Sequence, residues 1–204
     1  MGRLRFDKEK TSKAFASSYT VKNFPLVLKE NAVLEIGMGK GRMLSALAFK
    51  NPNKHYYGIE KFATVVAHAV KKAESLELSN INFIIDDVKD ALINIQGKAD
   101  LIWLTFSDPW PKARHEKFRL TNKKFLSLYK NMIKNDGLIK LKTDNDVFFA
   151  YSKQSIIEFG CEIVEISDDF HNSPFAIDNE MTDYEQKFSQ VGKKINYLAF
   201  RYKK

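Results

Sequence analysis

Short apolar runs of strand character alternate with amphipathic stretches of helical period along nearly the whole chain, an order that admits few architectures. Strands are predicted at 32–36, 55–59, 81–85, 100–106, 138–142, 161–166 and 195–202. Between them, 42–50 places Met43, Leu44, Leu47 and Ala48 on one helical face. Residues 61–77 repeat Phe62, Val65, Val66, Ala69, Val70, Ala73 and Leu76 at steps of three and four. A short helix is predicted near 89–95. Thr121 is the expected cap of another, with Phe125, Leu128, Tyr129, Met132 and Ile133 facing in, and 146–159 forms a helix stopped by Gly160. The pattern predicts an α/β fold: about seven mostly parallel strands with helices on both faces. In such sheets ligands bind beyond the carboxyl ends of the strands, where strand order reverses. A chain of 204 residues suffices for one domain with a sizeable core, predicted over 21–204. Residues 1–20, with Arg3, Arg5, Lys8, Lys10 and Lys13 and few apolar anchors, are expected to form a basic arm.

The first strand runs into Glu35-Ile36-Gly37-Met38-Gly39-Lys40-Gly41. Gly37 and Gly39 let the backbone turn tightly and approach a ligand, and the helix that follows aims free N–H groups at the same place. The spacing is G-x-G-x-G, not the dinucleotide G-x-G-x-x-G, and a carboxylate stands two residues ahead of the first glycine. An anionic pyrophosphate gains nothing from Glu35; a cationic ligand does. The second strand ends at Glu60, where a carboxylate suits the two hydroxyls of a ribose or the first turn of the next helix. The third ends in Asp86-Asp87, of which Asp87 is chosen as acceptor for an adenine amino group, with helix capping as the competing role. Acids and a glycine turn around one crevice suit a nucleoside that carries positive charge. S-adenosylmethionine has ribose, adenine, an ammonium and a sulfonium, and the pattern points to class I methyltransferases. Glu35 and the glycine spacing disfavour a nicotinamide-dependent oxidoreductase on a similar sheet.

Leu104 to Lys117 reads L-T-F-S-D-P-W-P-K-A-R-H-E-K. The two prolines fix the backbone and remove two donors, so Asp108 and Trp110 are held in place. A rigid acid and a large aromatic beside Lys112, Arg114, Lys117 and Arg119 suit a nucleic-acid base on its phosphate backbone. The four cations are expected to touch phosphates; the plainer role is a solvated face. A net charge of +8, from 33 Lys plus Arg against 25 Asp plus Glu, also favours a polyanionic partner. Thr182-Asp183-Tyr184-Glu185 follows a loop over 167–181, a length typical of lids and binding elements. Thr182 with Glu185 also matches a capping box, and a capped helix can still present Tyr184 or Glu185 to a ligand.

Taken together these motifs resemble the bacterial tRNA (guanine-N7-)-methyltransferases. The resemblance rests on L-E-I-G-M-G-K-G at 34–41, G-I-E at 58–60, F-S-D-P-W-P-K at 106–112, K-T-D-N at 142–145 and T-D-Y-E-Q-K-F at 182–188. It implies a Rossmann-like class I methyltransferase domain whose last strand is antiparallel. It implies further that Glu35, Glu60, Asp87 and Asp108 line the methyl-donor site; Asp108 is expected to be the catalytic residue, its carboxylate accepting from guanine N–H groups or facing the cationic product ring. Lys112, Asp144 and Thr182, Asp183, Tyr184 and Glu185 would meet a tRNA whose variable-loop guanine is methylated. A non-catalytic RNA-binding protein is disfavoured by the intact set of donor-site acids.

The lone Cys161 is expected in the core, as in a reducing cytoplasm. No apolar run reaches the length of a membrane span, no signal-peptide core is present, and Phe6 stands where a myristoylation start needs Ser or Thr. His55, His68 and His171 lack metal-ligand spacing, so no metal is expected, and a monomer and a homodimer are equally compatible.

Overall fold

A computed structural model describes residues 7–203. Its first half comprises α1 (Lys8–Ala16), β1 (Leu26–Val27), β2 (Ala32–Ile36), α2 (Arg42–Lys50), β3 (His55–Glu60), α3 (Ala63–Ser75), β4 (Ile81–Ile85) and α4 (Val88–Ile93). The second comprises β5 (Ile95–Gln96), β6 (Ala99–Thr105), α5 (Lys123–Met132), β7 (Ile133–Thr143), α6 (Asp146–Glu158), β8 (Cys161–Ser167), α7 (Asp183–Ser189) and β9 (Asn196–Tyr202). Seven strands form one sheet in the order β4-β3-β2-β6-β7-β9-β8. Every pairing is parallel except those of β9, which runs antiparallel between β7 and β8. From β2 the chain builds outward first through β3 and β4, then on the other side through β6 and β7. The order therefore reverses between β2 and β6, and a crevice opens beyond their carboxyl ends.

Strand alternation decides what lines that crevice. On β2, Leu34 and Ile36 join a core with Leu92 of α4, Leu126 and Tyr129 of α5 and Phe148 and Ile156 of α6. Val33 points the other way, into a core with Ala14 of α1, Leu44 of α2 and Val66 and Ala69 of α3. Each fully buried Leu, Ile or Val contributes about 1.5–3 kcal/mol, so the two faces are firmly specified. Glu35 therefore shares Val33's face, at the strand's carboxyl end. The same count puts Thr105 and Lys142 on that face, because Leu104 and Leu141 belong to the α4–α6 core. A third cluster of Phe170, Ile195, Tyr197 and Ala199 continues this face near Trp103 and Phe106.

Several local expectations are corrected. Asn122, not Thr121, caps α5: its Oδ1 accepts from the Lys124 amide at 3.2 Å, while Thr121 is buried with its hydroxyl on Ser152 at 2.8 Å. Strand β7 starts at Ile133, ahead of the predicted start at 138, and runs through Asn135–Gly137 with a register shift opposite Ala99 and Leu101. The segment 167–181 contains two 3₁₀ turns, Phe170–Asn172 and Pro174–Ala176. Within the stretch read as a basic arm, α1 packs on α3 with Ala14 fully buried. Thr20 donates to Ala14 O at 2.6 Å and bridges to Phe83 of β4, so this part of the arm is bound to the domain. Residues 1–6, with Arg3 and Arg5, lie outside the described residues.

Candidate active site

The glycine turn and the proline-tryptophan loop leave neighbouring parallel strands, β2 and β6, on the same edge of the sheet. Gly37 and Gly39 take left-handed φ values of 76° and 56°, and a β-carbon on either would meet nothing within 4 Å. The turn is thus bent as only glycine bends without strain, and it faces open space. It is pinned by the Gly37 and Met38 amides, which donate to Ile59 O at 2.9 and 3.1 Å.

Glu35 stands beneath that turn at 1% exposure. Its Oε1 accepts from the Thr105 hydroxyl at 2.7 Å, and its Oε2 is buried without a partner. Burial pushes the carboxyl up to about 7, against the Thr105 hydrogen bond and the charge of Lys142, which favour ionisation. A buried carboxylate with a bare oxygen is costly and is relieved by a cation. Glu60 has Oε2 on the Gly39 amide at 3.2 Å and Oε1 on the Phe62 amide at 3.0 Å. Each oxygen keeps a lone pair for a hydroxyl donor. Burial raises the Glu60 pKa, the backbone N–H groups oppose it, and the Asp108 charge adds to the rise. Asp108, exposed, therefore acts on Glu60 electrostatically although 48 residues of chain separate them.

Asp87 lies at the margin. It caps α4 through the Lys89 amide at 3.2 Å and pairs with Lys61 at 3.1 Å, so the capping role is filled while half its side chain stays exposed. Asp144, at the end of β7, accepts from Tyr184 Oη at 3.0 Å and pairs with Lys193 at 2.9 Å. The Tyr184 ring lies 5.0 Å from Phe106, which joins α7 to the loop that carries Asp108. Thr182 and Glu185 form the expected capping box, and Asp183 is exposed beside them. Lys112 is exposed at the start of a 3₁₀ turn, Ala113–Phe118, with Arg114 and Lys117.

Glu185, expected among the residues that meet substrate, is the most enclosed of them. It is fully buried, with Oε2 on Lys142 at 3.0 Å and Oε1 on His171 and Asn179, each at 2.8 Å. Burial works against its charge, but Lys142, His171 and Asn179 outweigh it and hold the carboxyl below its ordinary pKa. Lys142, His171, Asn179 and the Thr182 amide thus occupy both of its oxygens inside the protein.

A family model described as a putative methyltransferase matches residues 29–198. The tRNA (guanine-N(7)-)-methyltransferase of Mycoplasmopsis pulmonis is 51% identical over 202 residues, which cover 99% of this chain and all of that one. The enzyme of the same description from Mycoplasma mobile is 49% identical, over 96% of this chain and 98% of its own. The chain belongs to the tRNA (guanine-N7-)-methyltransferase family. Its fold is also that of a 16S rRNA (adenine(1408)-N(1))-methyltransferase from Catenulisporales acidiphilia, solved with cosubstrate SAM: the TM-score is 0.60 at 11% identity, over 98% of this chain and 93% of that one. A 30S ribosomal A1408 methyltransferase from an uncultured bacterium gives 0.58 at 16% identity, over 85% and 88%.

Sequence reasoning missed three residues that brace the acids of this region. Thr105 fixes Glu35 across the β2–β6 ladder, and Lys142 and His171 surround Glu185. Lys142 carried a signal, since a lysine on the buried face of a central strand requires a buried acid; His171 carried none. Arg119, expected on the phosphate-facing strip, is instead 9% exposed and turned inward.

Proposed function

We propose that this protein transfers the methyl group of S-adenosylmethionine to N7 of a guanine in the variable loop of tRNA, in the cytoplasm. The observation that carries the reading is the unpaired, enclosed Oε2 of Glu35, set under an open glycine turn in the same crevice as Asp108. The residues fit the donor. Glu35 meets an ammonium or sulfonium, Glu60 keeps lone pairs for ribose hydroxyls, and Gly37 and Gly39 leave room for close approach. Asp87 is free on one side to accept from an adenine amino group. Among the described residues no helix is long and apolar enough to cross a membrane.

When bound, the donor supplies an electrophilic methyl group on a sulfonium. Guanine N7 is a lone-pair acceptor, so no residue has to remove a proton before attack. The chain's task is to align and to stabilise charge, and alignment of reactants can supply about 7–11 kcal/mol. Asp108 is the catalytic residue: its exposed carboxylate accepts from guanine N–H groups or faces the positive charge that grows on the purine. Tyr184 and Asp144 form one wall, Thr182 and Asp183 border it, and Lys112 reaches for phosphate. Labelled donor and unmodified tRNA transcript should give labelled 7-methylguanosine in the variable loop after digestion. Label on protein, on carbon or on another nucleoside overturns the proposal. At saturating donor the single-turnover rate should be flat from pH 7.5 to 9; a log-linear rise would demand a general base and contradict the mechanism.

A further inference from the structure

Four cations follow the proline-tryptophan loop, and the fold treats one of them differently. Lys112, Arg114 and Lys117 are exposed, whereas Arg119 is 9% exposed. Its guanidinium turns back on the loop: Nε donates to Pro109 O at 3.1 Å and to Trp110 O at 3.3 Å, and Nη2 donates to Trp110 O at 3.0 Å. Its carbon lies 4.2 Å from the centroid of the Tyr151 ring. Tyr151 belongs to α6, whose cap is Asn145, next to Asp144. Arg119 thus ties the segment after β6, with Asp108, to the helix after β7, with Asp144.

The loop needs such a tie. Phe106 and Trp110, at its two ends, are non-glycine residues with left-handed φ values of 49° and 43°. Such conformations persist only where the surroundings over-determine them. Pro109 and Pro111 have no N–H, so the loop has few donors with which to brace itself. Asp108 makes no hydrogen bond or ion pair to a described residue, so its direction is set by the backbone that carries it.

We propose that Arg119 is a positioning residue that clamps the Asp108 loop through the Pro109 and Trp110 carbonyls, and is not a phosphate contact. This rests on the methyl-transfer reading above. Lysine does not replace arginine here, because a point charge does not fork between two carbonyls and stack on a ring at once.

The test compares full-length wild type with Arg119→Lys and Arg119→Gln, and with Tyr151→Leu, which removes the stacking platform and leaves the loop sequence intact. Single-turnover methyl transfer at saturating donor and tRNA, normalised to folded protein, should fall at least tenfold and up to about 100-fold in both Arg119 variants. In Tyr151→Leu it should fall less, in the same direction. The salt slope of tRNA binding should not change. A preserved rate with a slope reduced by about one marks a phosphate contact and overturns the proposal. Preserved rates in the folded fractions mark a purely structural residue and overturn it too. Hydrogen exchange at the Phe106 and His115 amides, which flank the loop and donate to Lys142 O and Lys112 O at 2.9 Å each, reads the clamp directly: exchange should quicken in the variants, and unchanged exchange refutes the clamp. If wild type itself methylates no tRNA, the functional reading fails while the exchange result still decides the clamp.

Discussion

Glu35 is an acid that water hardly reaches, and its chemistry follows from that. Its carboxyl is pushed up to about 7 by burial, from an ordinary value near 4.5. The folded protein then holds this proton more tightly than the unfolded chain does. Its contribution to stability is present below about pH 4.5 and is lost as pH rises through about 7. The Tm of the unliganded protein should therefore fall over that window, and Glu35→Gln should flatten the fall. A cationic donor reverses the balance by favouring the ionised form. Donor binding at pH 6.5 should release most of a proton, seen as a buffer-dependent heat in calorimetry, and affinity should rise with pH before levelling above 7. A heat identical in two buffers, or the same in Glu35→Gln, refutes the pairing. Asp108 is the opposite case. It is exposed and unpaired among the described residues, so Asp108→Ala should change stability by no more than about 0.5 kcal/mol while abolishing transfer. Retained turnover would remove it from the mechanism.

Elements place these residues, and they differ in how far the sequence announces them. The parallel strands were legible because alternation and β-branched content are local signals. So was the edge on which Glu35, Glu60 and Asp108 meet, since all three stand at or just past a strand's carboxyl end. Helix α1 was not: only Ala14 of its nine residues is buried, which leaves no apolar period to read. The expected cap at Thr121 failed because Thr121 and Asn122 are both good caps locally, and the pairing of Thr121 with Ser152 decides between them. Glu185 looked like a ligand-facing acid because its counter-ion lies 43 residues away in sequence. Lys142 and Glu185, both with fully buried side chains, lock α7 to β7 and so hold Tyr184 against Asp144. Removing one partner strands a buried charge, at a cost of about 3–5 kcal/mol. Glu185→Gln and Lys142→Met should each destabilise strongly in urea, and the double variant should cost less than their sum by about 0.5–3 kcal/mol. Strict additivity would mean that the two side chains act independently.

At the scale of the whole molecule, the charge at the crevice differs from the charge on its borders. Acids line the crevice between β2 and β6, while cations lie to either side of it. On one side the 3₁₀ turn after Lys112 exposes Arg114 and Lys117. On the other, burial lowers the His68 pKa on α3, Lys10 of α1, Lys40 of the glycine turn and Lys71 of α3 lower it further, and Asp183 opposes them. A cationic donor is drawn to the crevice, and a polyanion is drawn to its banks. For an RNA partner the banks set the salt dependence, because each neutralised phosphate releases counterions and adds about 0.7–0.9 to the slope of log affinity against log salt. Arg114→Ala with Lys117→Ala should lower that slope by about 1.4–1.8, weaken tRNA binding most at low salt, and leave donor affinity unchanged. The measurement is a titration of fluorescent tRNA at four or more salt concentrations. If the slope of the double variant matched wild type, these cations would be a solvated face, and the phosphate track would have to follow the α1–α3 side alone.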